Sequence, residues 1–476
     1  MLNPHKISPF TLLAAVAFLA LGELLAGTRL SFVAMMSTAM ICIGITYNIL
    51  GGIGTMGGMF FSAFALGTLV ISQFAKVFFF EAADRNLEAP QLTIEIYMIF
   101  YLCVMIGTFL FVRIRLNLPK ALEPATGKQS ELMYTISVSL GLIAASGILK
   151  GSEIQHTPAR DLALVFSNLL LFSIVLAIET RISDTDGLHS FGIKVFIPAA
   201  AFMIIGFLGT SRGGIVVPIL VYALTCYVKG FQFRRKHYIT AALGIVAFVT
   251  VISPIEIYLR QFREPEKPFW ERNYTILYHF ATIPDWPTVA AASEEANQES
   301  AGRIIYYQRS GTFVLGRFSM IRPDSNLINA CSGGYHYGFT ALKTDLLVLI
   351  PYFLYKNKPV NNSSEILGRV SGVITDEMEN TYPSFSAISD SYGAFEWWGV
   401  ILVAMFLFPA VIIIYESIFD IRRPWGIVAL GVLFTSGRET GIGGLLGVAI
   451  RAPIQLLLLS YLIGGIVRMI PMRGDR

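Results

Sequence analysis

Long apolar runs separated by short polar turns make up most of this chain. A hydrocarbon core about 30 Å thick takes about 20 apolar residues to cross as a helix. Backbone groups in lipid find no water to bond, so each run is expected to be helical. The pattern predicts twelve segments, at residues 10–27, 31–50, 59–80, 92–112, 133–149, 162–178, 191–209, 213–228, 238–258, 395–418, 425–435 and 443–470.

One long polar stretch interrupts the apolar pattern. The chain is therefore predicted to be an all-α polytopic membrane protein in three parts: transmembrane helices 1–9 at residues 1–258, a large loop at 259–394, and helices 10–12 at 395–476. Within the loop, residues 346–355 (LLVLIPYFLY) are apolar but too short to span a bilayer. Charged residues flank them, so a re-entrant or interfacial segment is expected.

Composition agrees with a membrane protein, and the absence of several motifs excludes common metal and nucleotide sites. The 476 residues are 54% hydrophobic and only 14% charged, with a mean hydropathy of +0.62. The four cysteines form no CxxC pair, so neither a disulfide framework nor a zinc site is predicted. The sequence contains no P-loop, HExxH or GxSxG motif. We therefore expect no cofactor, no metal and no nucleic-acid partner.

The distribution of Lys and Arg predicts the orientation, because cytoplasmic loops are enriched in both. With a cytoplasmic N-terminus, the loops on that side hold Lys6, Arg113, Arg115, Lys120, Lys128, Arg181, Lys229, Arg234, Arg235, Lys236, Arg422, Arg423, Arg468, Arg473 and Arg476. The short loops on the other side hold only Arg29, Arg85, Lys150, Arg160, Arg212 and Arg438. Both termini are predicted to be cytoplasmic and the large loop periplasmic.

Two arginines at the ends of apolar runs are the first candidates for function. Arg212 lies in TSRGG and Arg438 in SGRETG. A charge at bilayer depth costs about 2.5–3.5 kcal/mol or more, so it is usually retained for a task. Each arginine precedes a Gly-rich helix start on the predicted outer side, where free N–H groups and the helix dipole attract anions. The alternative is that both arginines only snorkel or pair with acids.

The short segment at 425–435 predicts that Arg438 and Glu439 lie recessed in a cavity. In the large loop, His336 stands between tyrosines and glycines, where an imidazole can act as a general base or bind a sugar hydroxyl. The alternative for His336 is an ordinary solvated loop histidine. Asp184 and Asp186 form a DxD, but the predicted topology makes it a polar cytoplasmic turn.

Four stretches together resemble a known family. They are GTSRGGIV, LIPYFLYKNKP, SFSAISDSYGAFEWWGVIL and SGRETGIGG. In order and spacing they are similar to the Wzy-type bacterial oligosaccharide repeat-unit polymerases of O-antigen, enterobacterial common antigen and exopolysaccharide. The resemblance covers roughly residues 195–470, and the first half of the chain is similar in hydropathy alone.

The resemblance implies a metal-independent inverting glycosyltransferase of the GT-C-like membrane class. It would join undecaprenyl-diphosphate-linked repeat units at the periplasmic face of the bacterial inner membrane, beside a chain-length co-polymerase and a flippase. The residues that would bind the diphosphate or the substrate are Arg212, Arg438, Ser211, Arg322, Arg317, Tyr335 and Lys358. The candidates for the base that takes the acceptor's proton are Glu439, His336 and Asp324.

Two other functions remain open from the sequence. A ligase that transfers finished glycan to lipid A core would carry similar arginines and a large outer loop. A polysaccharide flippase or transporter would be expected to have inverted repeats and short outer loops, which the one-sided insertion argues against.

Overall fold

The structure is a computed structural model, and it is helical. It describes residues 6–124, 127–150, 158–208, 212–260, 262, 267, 269–283, 285–289, 291, 306, 319–350, 355, 363–374, 384–436 and 441–470. Helix accounts for 79% of the structure, and no strand occurs within these ranges. The predicted all-α class is therefore confirmed.

The helices are numbered in chain order. Helices α1 to α9 are Pro9–Leu25, Leu30–Ile49, Met56–Phe79, Pro90–Phe111, Gly127–Lys150, Pro158–Asp184, Ile193–Leu208, Arg212–Val228 and Arg235–Ala247. Helices α10 to α17 are Ser253–Arg260, Phe269–Ala281, Ile321–Ser332, Phe339–Leu349, Ser363–Val370, Ala387–Ile418, Pro424–Ser436 and Ile442–Met469. Short π-helical turns occur inside α3, α15 and α17 and join α9 to α10.

Each of the twelve predicted apolar runs coincides with a helix, on α1 to α10 and α15 to α17. Within the described ranges, seven stretches are long and apolar enough to cross a membrane: Leu30–Gly54, Met56–Phe79, Pro90–Phe111, Leu162–Asp184, Arg235–Ile255, Ala387–Ile418 and Ile442–Met469. Shorter apolar helices lie at Pro9–Leu25, Ile193–Leu208, Gly214–Val228 and Pro424–Phe434. The helices are those of a polytopic membrane protein.

Packing divides the chain into two units. The first contains Met1–Leu118, Gln298–Ser417 and Val432–Pro453. The second contains Pro119–Asn297, Ile418–Gly431 and Ile454–Arg476. Each unit contains segments from all three predicted parts of the chain. The boundaries between the packing units therefore do not coincide with the boundaries predicted from the membrane topology.

Aromatic rings hold the first unit together. The Phe408 ring of α15 lies 5.0 Å from that of Phe64 in α3, and Phe64 lies 5.8 Å from Phe100 in α4. A Cβ at Gly107 of α4 would come within 2.2 Å of the Met405 carbonyl oxygen, so only glycine allows this approach. Helices α3, α4 and α15 are thereby fixed against one another.

An aromatic stack, an ion pair and a hydrogen bond join the helices of the second unit. The Phe172 ring of α6 stacks on Trp425 of α16 at 4.0 Å. Glu179 of α6 forms an ion pair with Lys229 at 2.5 Å, and Lys229 also donates to the Arg422 carbonyl at 2.8 Å. These contacts join α6, the end of α8 and the start of α16.

Two element boundaries within residues 259–394 differ from the predicted ones. Helix α15 begins at Ala387 instead of Phe395, because the polar side chains of Ser386, Ser389 and Asp390 are buried and hydrogen-bonded rather than solvated. Helix α13 covers only the first part of the apolar run at 346–355, since it ends at Leu349. Residues 351–354 of that run lie outside the described residues.

Candidate functional site

A contact between a loop histidine and a glutamate at a helix kink is the most distinctive polar feature of the first unit. Nε2 of His336 lies 2.8 Å from Oε1 of Glu396, and the two side chains are 25% and 54% exposed. His336 belongs to the loop between α12 and α13, where Gly334 and Gly338 have φ angles of +94° and +51°. The glycines allow the tight turns that bring the histidine back to α15.

The backbone at Glu396 is strained. Its φ is +51° and its ψ −139°, and the preceding Phe395 is also non-helical, so α15 is kinked there. A non-glycine residue in such a region costs about 1–3 kcal/mol and is found most often at functional sites. The kink turns the Glu396 side chain out of the helical register, toward His336.

Aromatic rings border this pair, and two of them are exposed. Tyr335 and Phe339 are 52% and 72% exposed. The Phe339 ring lies 4.8 Å from Phe395, and the Tyr392 ring lies 6.5 Å from the His336 imidazole. Exposed aromatic faces beside polar groups provide surfaces against which the apolar face of a sugar ring can pack.

Asp324 of α12 has a different environment. It is fully buried, and its oxygens accept hydrogen bonds from Tyr97 Oη at 2.5 Å, from Ser386 N and Oγ at 2.9 and 2.5 Å, and from Ser389 Oγ at 2.6 Å. Burial raises the pKa of Asp324, while these hydrogen bonds act to lower it. A base must reach the substrate's proton, and Asp324 is enclosed by protein donors instead. Its geometry is that of a carboxylate joining α4, α12 and the start of α15.

A second buried carboxylate, Asp390, binds the first turn of α17. It accepts from Ile442 N at 2.5 Å and from the Tyr337 hydroxyl. A Cβ at Gly443 would lie 2.2 Å from the carboxyl carbon of Asp345, so a second acid also lies against this turn. The N–H groups expected to be free for a substrate anion are therefore partly taken by the protein's own carboxylates.

The other predicted site residues are placed as follows. Arg212 is the first described residue of α8, and its side chain is outside what the structure describes. Arg322 lies on α12 with Nη2 2.8 Å from Glu88 Oε1, and Nη1 donates to the Asn86 carbonyl. Tyr335 adjoins His336. The predicted residues that lie outside the described ones are Ser211, Arg317, Lys358, Arg438 and Glu439.

Sequence reasoning missed Glu396, Asp390 and Tyr97. Glu396 and Asp390 both lie in SFSAISDSYGAFEWWGVIL, and an acid at the edge of an apolar run is a signal that could have found them. Tyr97 lies in an apolar run without such a signal. No group of three or more His, Cys, Asp and Glu side chains among the described residues is arranged to hold a metal ion.

No protein-family profile, curated protein or solved structure matches this chain.

Proposed function

We propose that this chain polymerises oligosaccharide repeat units carried on undecaprenyl diphosphate, as a GT-C-like inverting glycosyltransferase. The observation that carries the proposal is the contact between His336 and Glu396, a histidine oriented by a carboxylate and bordered by exposed aromatic rings. A base of this kind and a surface for sugars are what a glycosyl transfer to a hydroxyl group requires. The resemblance of four sequence stretches to repeat-unit polymerases supports the same class.

In the proposed reaction, the acceptor hydroxyl oxygen attacks the anomeric carbon of the donor sugar. The bond from that carbon to the diphosphate oxygen breaks, and the configuration inverts. His336 is proposed to take the hydroxyl proton through Nδ1, because Nε2 is held by Glu396. Nδ1 is buried and has no hydrogen-bond partner among the described residues, so this step requires the loop that carries His336 to move and admit the acceptor. The Glu396 carboxylate stabilises the imidazolium that forms. Arg212 and Arg438 are proposed to stabilise the charge that develops on the diphosphate.

The proposal includes a membrane topology. Twelve spans with both termini in the cytoplasm would put residues 259–394, and with them His336, at the periplasmic face of the inner membrane. The Lys and Arg bias of the short loops supports this orientation. A membrane-impermeant thiol reagent added to cells should label Ser293→Cys and not Gln232→Cys. The reverse pattern would contradict the orientation and the periplasmic site with it.

The function is tested by deleting the gene and separating the surface glycan on a gel. A polymerase deletion leaves single repeat units attached to the cell surface, whereas loss of a ligase or a flippase leaves none. Complementation with the wild-type chain should restore the ladder of long chains, with a length distribution set by a co-polymerase. A full-length ladder in the deletion strain would overturn the proposal.

A further inference from the structure

A polar cavity of about 330 Å³ lies within the first unit, against α12. Its wall contains one acid, one arginine, two amides and a hydroxyl, from Glu88, Arg322, Asn326, Asn329 and Ser371. Small-molecule sites usually measure about 300–1,000 Å³ and are mostly apolar. The volume of this cavity is that of a small ligand site. Its polar wall suits a hydroxyl-rich ligand and does not suit a lipid tail.

Helix α12 presents this polar wall by its periodicity. Arg322, Asn326 and Asn329 follow one another at intervals of four and three residues, so they share one helix face. The opposite face, with Asp324, Ile328 and Cys331 at the same intervals, is fully buried. One face therefore anchors the helix in the protein while the other supplies donors and acceptors to the cavity.

The charges of the cavity nearly cancel. Arg322 is only 11% exposed and its guanidinium is matched by Glu88 at 2.8 Å. Its Nε is buried, so the polar groups of the wall that are open to a ligand include those of Asn329 and Ser371. A matched arginine favours a neutral ligand with hydroxyl or amide oxygens over a phosphate, because a phosphate would add an unpaired charge.

We propose that this cavity is a subsite for one neutral sugar ring of the oligosaccharide, an inference that rests on the proposed function. Helix α12 has 12 residues and is about 18 Å long at about 1.5 Å per residue. Its C-terminal end leads through Gly333 to His336. A glycan with one ring in the cavity can extend along α12 to the His336–Glu396 pair, so the subsite would position the chain for transfer.

The test is a calorimetric titration of the purified full chain with the lipid-free repeat-unit oligosaccharide, released from the host's surface glycan by mild acid. Asn329 is exposed, so its replacement leaves the buried face of α12 intact. Asn329→Ala should raise Kd about three- to tenfold, the effect of one lost hydrogen bond. Asn329→Trp, which fills the cavity, should abolish binding. Ser332→Ala, an exposed change on the same helix outside the cavity wall, should leave Kd unchanged.

Unchanged affinity in Asn329→Trp, or no binding to a wild-type chain of normal melting temperature, would overturn the subsite. The proposed function is judged separately, by the glycan ladder of the deletion strain. A normal ladder in cells carrying Asn329→Trp, together with single repeat units in the deletion strain, rejects the subsite alone. A full-length ladder in the deletion strain rejects the proposed function, and the titration then still shows whether the cavity binds the oligosaccharide.

Discussion

Two carboxylates of the first unit, Asp324 and Glu396, show how packing separates structural from chemical roles. Asp324 is enclosed and accepts four hydrogen bonds from Tyr97, Ser386 and Ser389. Glu396 is about half exposed, has a strained backbone and contacts His336. A fully satisfied carboxylate holds elements together, whereas a more exposed one can orient an imidazole for proton transfer. Sequence position alone does not distinguish the two.

The largest effect on activity is expected at His336. His336→Ala should slow polymer formation in cells about 100- to 10,000-fold, the range that a general base supplies. The melting temperature in detergent should stay near that of the wild type, because His336 is a partly exposed loop residue. His279→Ala, another histidine of residues 259–394, is the matched control and should keep the ladder. Long chains made at the normal rate by His336→Ala would refute the role of His336.

The largest effect on stability is expected at Asp324. Asp324→Ala removes the acceptor of four hydrogen bonds and leaves buried donors unsatisfied, so it should lower the unfolding free energy by about 3–5 kcal/mol. Protein level and melting temperature measure this loss, and Asp324→Asn, which keeps one acceptor oxygen, should lose less. A variant of normal stability whose glycan stops at single units would show instead that Asp324 is the base.

The helices were predictable from the sequence because the membrane signal is local. Each apolar run can be recognised without knowing its neighbours, and each one coincides with a helix. The start of α15 was not predictable, since Ser386, Ser389 and Asp390 look solvated until Asp324 and Tyr337, distant in sequence, are brought to them. Local patterns cannot reveal such partners.

The candidate site was only partly predictable, for the same reason. His336 stood out by its aromatic and glycine neighbours, but its partner Glu396 comes 60 residues later and depends on a kink that no local pattern predicts. Asp324 was a reasonable candidate by position and is enclosed by donors in the fold. The roles of Arg438 and Glu439 stay predictions, as both residues lie outside the described ones.

A smaller effect is expected at Glu396. Glu396→Gln keeps an acceptor for His336 but removes the charge that stabilises the imidazolium. Losing one charge-assisted contact of about 1.5–3 kcal/mol should lower kcat about 10- to 100-fold. KM should not change, since Glu396 orients the base rather than the substrate. A raised KM at unchanged kcat would place Glu396 in substrate binding instead.

A pH-dependent effect on stability is expected at Glu123 of the second unit, an acid of intermediate exposure. Its Oε2 has no hydrogen-bond partner among the described residues, and burial raises its pKa from 4.5 to about 8. The folded state therefore binds the proton more tightly, so the stability this group contributes is full below pH 4.5 and is lost as pH rises through about 8. The melting temperature should fall over that window in the wild type and less in Glu123→Gln. An equal fall of melting temperature with pH in the two proteins would show that Glu123 is not the group responsible.

The most direct test of the account is polymerisation by the purified chain. Full-length protein in nanodiscs is given undecaprenyl-diphosphate-linked repeat units, and the glycan products are separated by length, with and without excess EDTA. A ladder of long products is expected from the wild type and from His279→Ala under both conditions, and single units from His336→Ala. A ladder from His336→Ala, or a wild-type ladder that disappears in EDTA and returns with magnesium, would contradict it.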